Sequence, residues 1–273
     1  MSADSPDARL IRSWLFVPGT RLDLLVKATN ANAEAIVVDL EDAVLPEHKA
    51  PARSAVAKLR SISFSCPLFV RVNAVDTRDF DLDMTAALQA GVAGIMLPKV
   101  ERVDDLATLR AHTPKHMRMV ALIETARGLA NLAELAKFPD VHRLAFGSVD
   151  FALDAGCASD SLTMDMARAT MVLASRTAGL PAPIDGVTVS MDAQTLERET
   201  VSAKALGFGG KLCIHPCQID CVNRAFRPSE ADVVWARRVL ECAVGAQTGA
   251  LLVDGEMVDR PVLERAKQIL AKL

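Results

Sequence analysis

The sequence predicts an α/β protein, a (β/α)8 TIM barrel followed by a C-terminal helical extension. Three observations carry this. Short apolar runs alternate with longer stretches of helical period from Trp14 to Ile214. Parallel strands need a crossover, and each intervening stretch supplies one. The runs number eight, the count that closes such a barrel, in a chain of 273 residues where a barrel takes about 250. An open doubly wound sheet is the runner-up, but no GxGxxG follows the first strand and no P-loop appears.

The first strand is expected over 14–17, "WLFV", and the stretch "RLDLLVKATNAN" after it ends on Asn. The second is 35–40, "AIVVDL", and the third is 68–72, "LFVRV". "LDMTAALQAG" stops at Gly91 before the fourth strand, 94–97. "VDDLATLRAH" repeats Leu106 and Leu109 and leads to the fifth, 120–123. "LANLAELAKF", with Leu129, Leu132 and Leu135 on one face, leads to the sixth, 143–146. "MARATMVLASRTAG" precedes the seventh, 184–187, and "DAQTLERETVSAKALG" the eighth, 211–214. The barrel domain is therefore set at 1–227 and the extension at 228–273. The extension reads as a helix, "SEADVVWARRVLECAV", with Ser229 as N-cap, a hairpin in "GALLVDGEMVD", and a last helix, "RPVLERAKQIL".

Half the residues are hydrophobic, 51%, and the net charge is −3 with Lys and Arg scattered singly. No basic tract points to nucleic acid or an anionic membrane. No apolar run approaches the roughly 20 residues that span a bilayer, and the polar, acidic start "MSADSPDARL" is unlike a signal peptide. A soluble cytoplasmic protein is expected. Cys213, His215, Cys217 and Cys221 cluster in "CIHPCQIDC", but the spacing is not the paired CxxC of zinc sites and Pro216 interrupts it, which favours reduced thiols.

In a parallel barrel the active site lies at the C-terminal strand ends. There the sequence places Asp39, Glu41 and Asp42 after the second strand, Arg71 and Asn73 after the third, and Pro98 and Lys99 after the fourth. Glu124, Asp150, Asp185 and His215 follow the later strands. Carboxylates so close repel unless cations gather them. Arg71 is positioned to pair with the acids at 39–42. Glu124 and Asp150 form the two-carboxylate set that holds Mg2+ together with water and substrate oxygens. Each has a structural alternative: a bare salt bridge for Asp39 and Glu41, and helix caps for Glu124 and Asp150.

These residues lie in strings that resemble a known family. "SWLFVPG", "VVDLEDAV", "VRVN", "IMLPKVE", "LIETARG", "FGSVDFALD", "GFGGKLCIHPCQI", "FRPSEADVVWARRVL" and "DGEMVDRP" occur in order along nearly the whole chain. They resemble the citrate lyase β-subunit-like (CitE-like) proteins of the HpcH/HpaI aldolase superfamily. The resemblance implies a (β/α)8 barrel, Mg2+, a CoA thioester substrate and a homotrimer or hexamer. It implies Glu124 and Asp150 as metal ligands, Arg71 as substrate-binding and catalytic arginine, and Phe16, Arg21 and Lys27 as holders of CoA. It also implies Asp39, Glu41 and Asp42 as supports, and Asp259 as an acid/base supplied from a neighbouring subunit. Ser148 departs from the Glu or Thr that many relatives carry there, which bears on substrate choice.

The expected activity is cleavage of a carboxylated 3-hydroxyacyl-CoA, of citryl, malyl or citramalyl type. The alternatives are a malyl-CoA-type thioesterase or synthase, an aldolase for free 2-keto acids, and a subunit that works on an acyl-carrier thioester within a citrate lyase complex.

Overall fold

The computed structural model describes residues 10–243, 251–253 and 256–271. Residues 1–9, 244–250, 254–255 and 272–273 lie outside the described residues, and with them part of the expected hairpin segment "GALLVDGEMVD". Eight parallel strands close a barrel in sequence order, β1 to β8. They are β1 (Ser13–Pro18), β2 (Ala35–Asp39), β3 (Leu68–Arg71), β4 (Gly94–Leu97), β5 (Arg118–Ile123), β6 (Val141–Phe146), β7 (Ile184–Asp185) and β8 (Gly210–Cys213). All eight apolar runs are therefore strands, although β7 is only two residues long.

The crossovers are α1 (Leu25–Asn30), α2 (Lys49–Val56), α3 (Phe80–Ala90), α4 (Val103–His112), α5 (Ala126–Ala130) and α6 (Leu132–Leu135), then α7 (Ser148–Asp154), α8 (Leu162–Thr177) and α9 (Ala193–Leu206). α10 (Ile219–Phe226) follows β8. Sequence reading gave no helix for α2. It buries only Ala52 and Val56, so its apolar stripe is faint. Pro51 looks like a breaker but sits in the first turn, where a backbone N–H has no helical partner to lose. α9 ends on Gly207 at φ 108, where a Cβ would stand 2.8 Å from Val172 Cγ1, so only glycine fits.

Alternate strand residues fill the barrel. Trp14, Val37, Phe69, Met96, Leu122 and Leu212 belong to one buried cluster, with the Trp14 and Phe69 rings 4.8 Å apart. Strand parity then carries Phe16, Asp39, Arg71 and Glu124, which continue the same faces, toward the C-terminal mouth.

The contacts divide the chain into two compact units, one of which is Ile11–Asn223. The other contains α11 (Glu230–Ala243), the antiparallel pair β9 (Leu251–Val253) and β10 (Glu256–Val258), and α12 (Arg260–Leu270). It has its own small core of Ala236, Val239, Val253, Val258 and Ala266, flanked by Trp235 and Leu263. Ser229 caps α11 as expected, since its Oγ accepts from Asp232 N at 3.0 Å. Among the described residues no helix is long and apolar enough to cross a membrane.

Candidate active site

Asp39 ends β2 directly beside Arg71 at the end of β3. Its carboxylate accepts Glu41 N at 2.9 Å and Ala43 N at 3.0 Å, folding the following loop back over the strand end. The same oxygens take Arg71 Nε at 2.8 Å and Nη2 at 2.6 Å, a two-pronged charged contact. Arg71 Nη1 stands 2.9 Å from Glu41 Oε2 and 3.7 Å from Asp42. The guanidinium lies over the Phe16 ring, 4.8 Å from its centroid. Burial opposes the charge of Arg71, but Asp39, Glu41 and Asp42 outweigh it and its proton is held more tightly than usual. The sequence paired Arg71 with these acids, and the structure brings all four together.

The loop is braced from below by residues to which sequence reading gave no role. Lys49 Nζ donates to Leu40 O, Glu41 O and Asn73 Oδ1 at 2.9, 3.1 and 2.7 Å. Asn73 donates through both its backbone and side-chain nitrogens to Asp83, which Arg53 also meets at 3.1 Å. Asp83 is completely buried within the apolar stripe Phe80, Met84, Ala87 of α3. An acid at a core position of a helical stripe was the available signal.

Lys99, at the end of β4, has a left-handed backbone with φ 51. That conformation costs a lysine about 1–2 kcal/mol. It turns the backbone N–H onto Glu124 Oε1 at 2.7 Å while Nζ reaches Glu41 Oε1 at 2.9 Å. One residue thus grips two carboxylates.

Glu124 directly follows β5 and is 1% exposed. A Cβ on residue 147 would lie 2.5 Å from Glu124 Oε2, so Gly147 leaves the space that this carboxylate fills. Burial, and then repulsion from Glu41 and Asp150, push its carboxyl up to about 8. It does not cap the next helix, since Thr125 does, accepting from Gly128 N at 3.0 Å. Asp150 is not a cap either: it lies inside the first turn of α7, whose N-cap is Gly147.

Glu124, Asp150 and Arg71 border one cavity of about 360 Å³, together with Phe16, Asp39 and Asp42. The rest of its wall includes Leu122, Ser148, Val187, Leu212 and Ile214. Arg21 and Lys27 are exposed and do not line it, and Arg21 pairs with Asp23 at 2.9 Å.

The residues fit a hard divalent cation. Glu41 and Asp150 each repel the carboxylate of Glu124. The buried Glu41 Oε2 makes an ion pair without hydrogen-bond alignment, so it is short of donors. The nearby donors are oxygens, which suits Mg2+ better than a softer metal. Among the described residues no group of three or more His, Cys, Asp or Glu side chains forms a ready-made cage. Mg2+ on Glu124 and Asp150 would complete its shell from water and substrate.

The cysteine cluster is no donor set. Cys213 is buried, which raises its thiol to about 12, whereas Cys217 is exposed with its Sγ 2.9 Å from His215 Nδ1. His215 caps the turn after β8 by accepting Cys217 N. Asp185 also corrects the rim expectation. It lies on the face of β7 opposite the interior residue Ile184, where it takes Lys211 Nζ at 2.7 Å and Arg168 Nε at 3.0 Å. In the second unit, Asp259 caps α12 by accepting Val262 N at 3.3 Å.

The chain as a whole is similar to known proteins. The family model for HpcH/HpaI aldolase/citrate lyase matches residues 12–216. The chain is 35% identical to a citrate lyase subunit beta-like protein of Deinococcus radiodurans, over 96% of this chain and 97% of the relative. It is 34% identical to a (3S)-malyl-CoA thioesterase of Cereibacter sphaeroides, over 97% and 95%. Among solved structures, CitE of Mycobacterium tuberculosis in complex with magnesium, acetoacetate and coenzyme A superposes with a TM-score of 0.83. That match has 33% identity and covers 97% of this chain and 98% of the other.

Proposed function

Because the chain belongs to the HpcH/HpaI aldolase/citrate lyase family, we propose that it is a Mg2+-dependent carbon–carbon lyase. It cleaves a carboxylated 3-hydroxyacyl-CoA into a shorter acyl-CoA and a 2-keto acid. The observation that carries this reading is one cavity bordered by Glu124, Asp150 and an Arg71 pinned by two acids.

Cleavage removes the proton of the 3-hydroxyl group, whose oxygen becomes the keto acid carbonyl. The electrons of the breaking C2–C3 bond move into the thioester carbonyl, and the resulting enolate carbon is protonated to give the acyl-CoA. Mg2+ bound by Glu124 and Asp150 would supply Lewis acidity to the oxygens of the keto acid portion. Arg71 has five N–H donors, and Asp39 takes one on Nε and one on Nη2. Nη1 also faces Glu41 at 2.9 Å, and the donors left on Nη1 and Nη2 are there for a substrate carboxylate or oxyanion. Asp39 and Glu41 hold the plane of that guanidinium, and Lys99 keeps Glu41 and Glu124 in place. Phe16 forms cavity wall under Arg71. Arg21 and Lys27, exposed just beyond β1, are assigned to the CoA phosphates.

The reading extends to a homotrimer or hexamer in the cytoplasm, with residues 228–273 as an extension that packs on a neighbour and Asp259 as a proton donor acting across that boundary. None of the six cysteines is joined in a disulfide, which supports a reducing compartment. The deciding experiment is a CoA-thioester panel with Mg2+, scored by mass spectrometry for keto acid, free CoA and shortened acyl-CoA. Shortened acyl-CoA with keto acid supports the lyase. Free CoA with an intact hydroxy acid supports a second reading, a thioesterase, which the Cereibacter relative favours. Activity only on an acyl-carrier thioester, with α and carrier subunits copurifying, points to a lyase complex.

A further inference from the structure

We propose that Asp154 is a positioning residue for the metal site, a clamp that holds Asp150 in place relative to Glu124 before any cation binds. The inference rests on the reading of Glu124 and Asp150 as Mg2+ ligands. It concerns what keeps the two carboxylates within reach of one ion.

The two acids come from different elements, Glu124 directly after β5 and Asp150 on α7. Two hydrogen bonds join those elements, one on each side of the pair. At the near end Gly147 N donates to Ile123 O at 2.9 Å. At the far end Ala126 N donates to Asp154 Oδ2 at 2.7 Å. Glu124 lies between Ile123 and Ala126, and Asp150 between Gly147 and Asp154. The two bonds therefore close a ring of chain that contains both ligands. The first bond joins two backbones and is indifferent to side chains. The second depends wholly on Asp154. Ala126 opens α5, so its N–H has no partner within its own helix and is free to take this one.

α7 is short, seven residues or about 10 Å of helix, and only its first part is seated. Ser148 packs on Gly186 with no room for a Cβ there, and the Phe151 ring lies 5.3 Å from that of Phe146. Beyond Phe151 nothing in the helix is buried, and Leu153 is 82% exposed. Charge works against the arrangement, because Asp150 repels Glu124. Two like charges stay close without an ion between them only if their supports are fastened together.

For α7 itself Asp154 is a poor choice. It is the last residue of the helix, where the carbonyl end of the dipole disfavours an acid. It also stands one turn from Asp150, a like charge on the same face. A residue that weakens its own helix yet makes a short, charge-assisted bond to another element is explained by that bond.

The test titrates Mg2+ calorimetrically into the whole protein as wild type, Asp154→Ala and Asp154→Asn, with no thioester present. Asp154→Ala should weaken Mg2+ binding by about tenfold, the lower end for a group that supports a metal ligand from outside the coordination shell. Asp154→Asn keeps an oxygen for Ala126 N and should stay within about threefold of wild type. Wild-type affinity in Asp154→Ala overturns the proposal. Equal weakening in both variants also overturns it, since the effect then comes from lost charge and not from the clamp. A second arm follows hydrogen–deuterium exchange in the metal-free protein. The amides of Ala126 and α7 should exchange about fivefold faster in Asp154→Ala than in wild type or Asp154→Asn, the equivalent of one hydrogen bond, with β1 and β2 unchanged. Unchanged exchange in α7 counts against the clamp. The Asp154 side chain is exposed, so both variants should fold, which circular dichroism checks. Glu124→Gln separates the two claims. If it leaves Mg2+ binding intact, the ligand reading fails, while the exchange of α7 still decides whether Asp154 clamps it.

Discussion

Asp39 and Arg71 are neighbours twice over: their backbones are register partners on β2 and β3, and their side chains meet through two hydrogen bonds of 2.8 and 2.6 Å. The strand pairing fixes where the arginine starts, and the carboxylate fixes where it points. The guanidinium plane is therefore set before any substrate arrives, which is what an oxyanion or carboxylate partner requires.

Arg71→Lys keeps a charge but loses the planar fork, so only one of the two Asp39 contacts survives. Activity should fall by roughly 10²-fold or more, on the scale of losing one oxyanion donor. Steady-state kinetics on the active thioester measures this, and near wild-type turnover would reduce Arg71 to a structural partner.

Glu124 predicts a pH dependence for the metal-free protein. Its folded pKa is raised to about 8 from an ordinary 4.5. Between those values the folded state keeps a proton that the unfolded chain has released. Stability should therefore be greatest below the ordinary value and decline as pH rises toward 8, by on the order of a few kcal/mol. Urea titrations across that range, without metal, should show the decline. Glu124→Gln should flatten it, and both Glu124→Gln and Asp150→Asn should weaken Mg2+ binding. Unchanged Mg2+ titrations in both variants would sink the ligand assignment.

Asp83→Leu removes the acid that Asn73 and Arg53 share beneath the site and leaves the Asn73 backbone N–H buried without an acceptor, although Asn73 Nδ2 keeps Leu40 O and Arg53 keeps Asp79. A loss of about 3–5 kcal/mol is expected, because a buried network is broken from one side. Double substitution of Arg53 and Asp83 to apolar residues should cost less than the sum of the two single changes. Strict additivity in that cycle would argue that the two do not act together.

Asp259→Asn separates two roles. Asn caps a helix about as well as Asp, so α12 and thermal stability should be unchanged. A proton donor lost at the same position should lower turnover steeply with Mg2+ affinity intact. Mixing Arg71→Ala with Asp259→Asn subunits should restore part of the activity if the site is shared, and no recovery after verified exchange excludes sharing.

The barrel was legible because its signal is repeated: each strand is a dense apolar run, and each error of reading is local. Rim acids and Arg71 were legible because a charge directly after a buried strand must sit where the strand leaves the core. Lys99 was legible as a rim residue but its double grip was not, since nothing in a Pro-Lys pair announces a positive φ or a backbone N–H turned onto Glu124. Asp185 was misread because a strand end shows its length in the sequence but not its parity. One residue decides whether a side chain enters the barrel or, as here, faces Arg168 of α8. Asp83 left a local signal as an acid in an apolar stripe, but its partner Asn73, and the reach of Lys49 to the same Asn73 24 residues away, are encoded by no local pattern.

A closed ring of staves yields where it is thinnest. β7 joins β6 through one register pair and β8 through two, whereas β1 and β2 share five. Across the β7–β8 seam, Asp185 is riveted to the buried Lys211 of β8 and to the partly exposed Arg168 of α8. That joint replaces backbone hydrogen bonds with charge. Cutting it with Asp185→Asn should let the seam breathe, so that amides of β7 and its neighbours exchange with deuterium faster than those of β1 and β2. Val187, beside that seam, belongs to the cavity wall, so the weakest stave also forms part of the surface that the substrate meets.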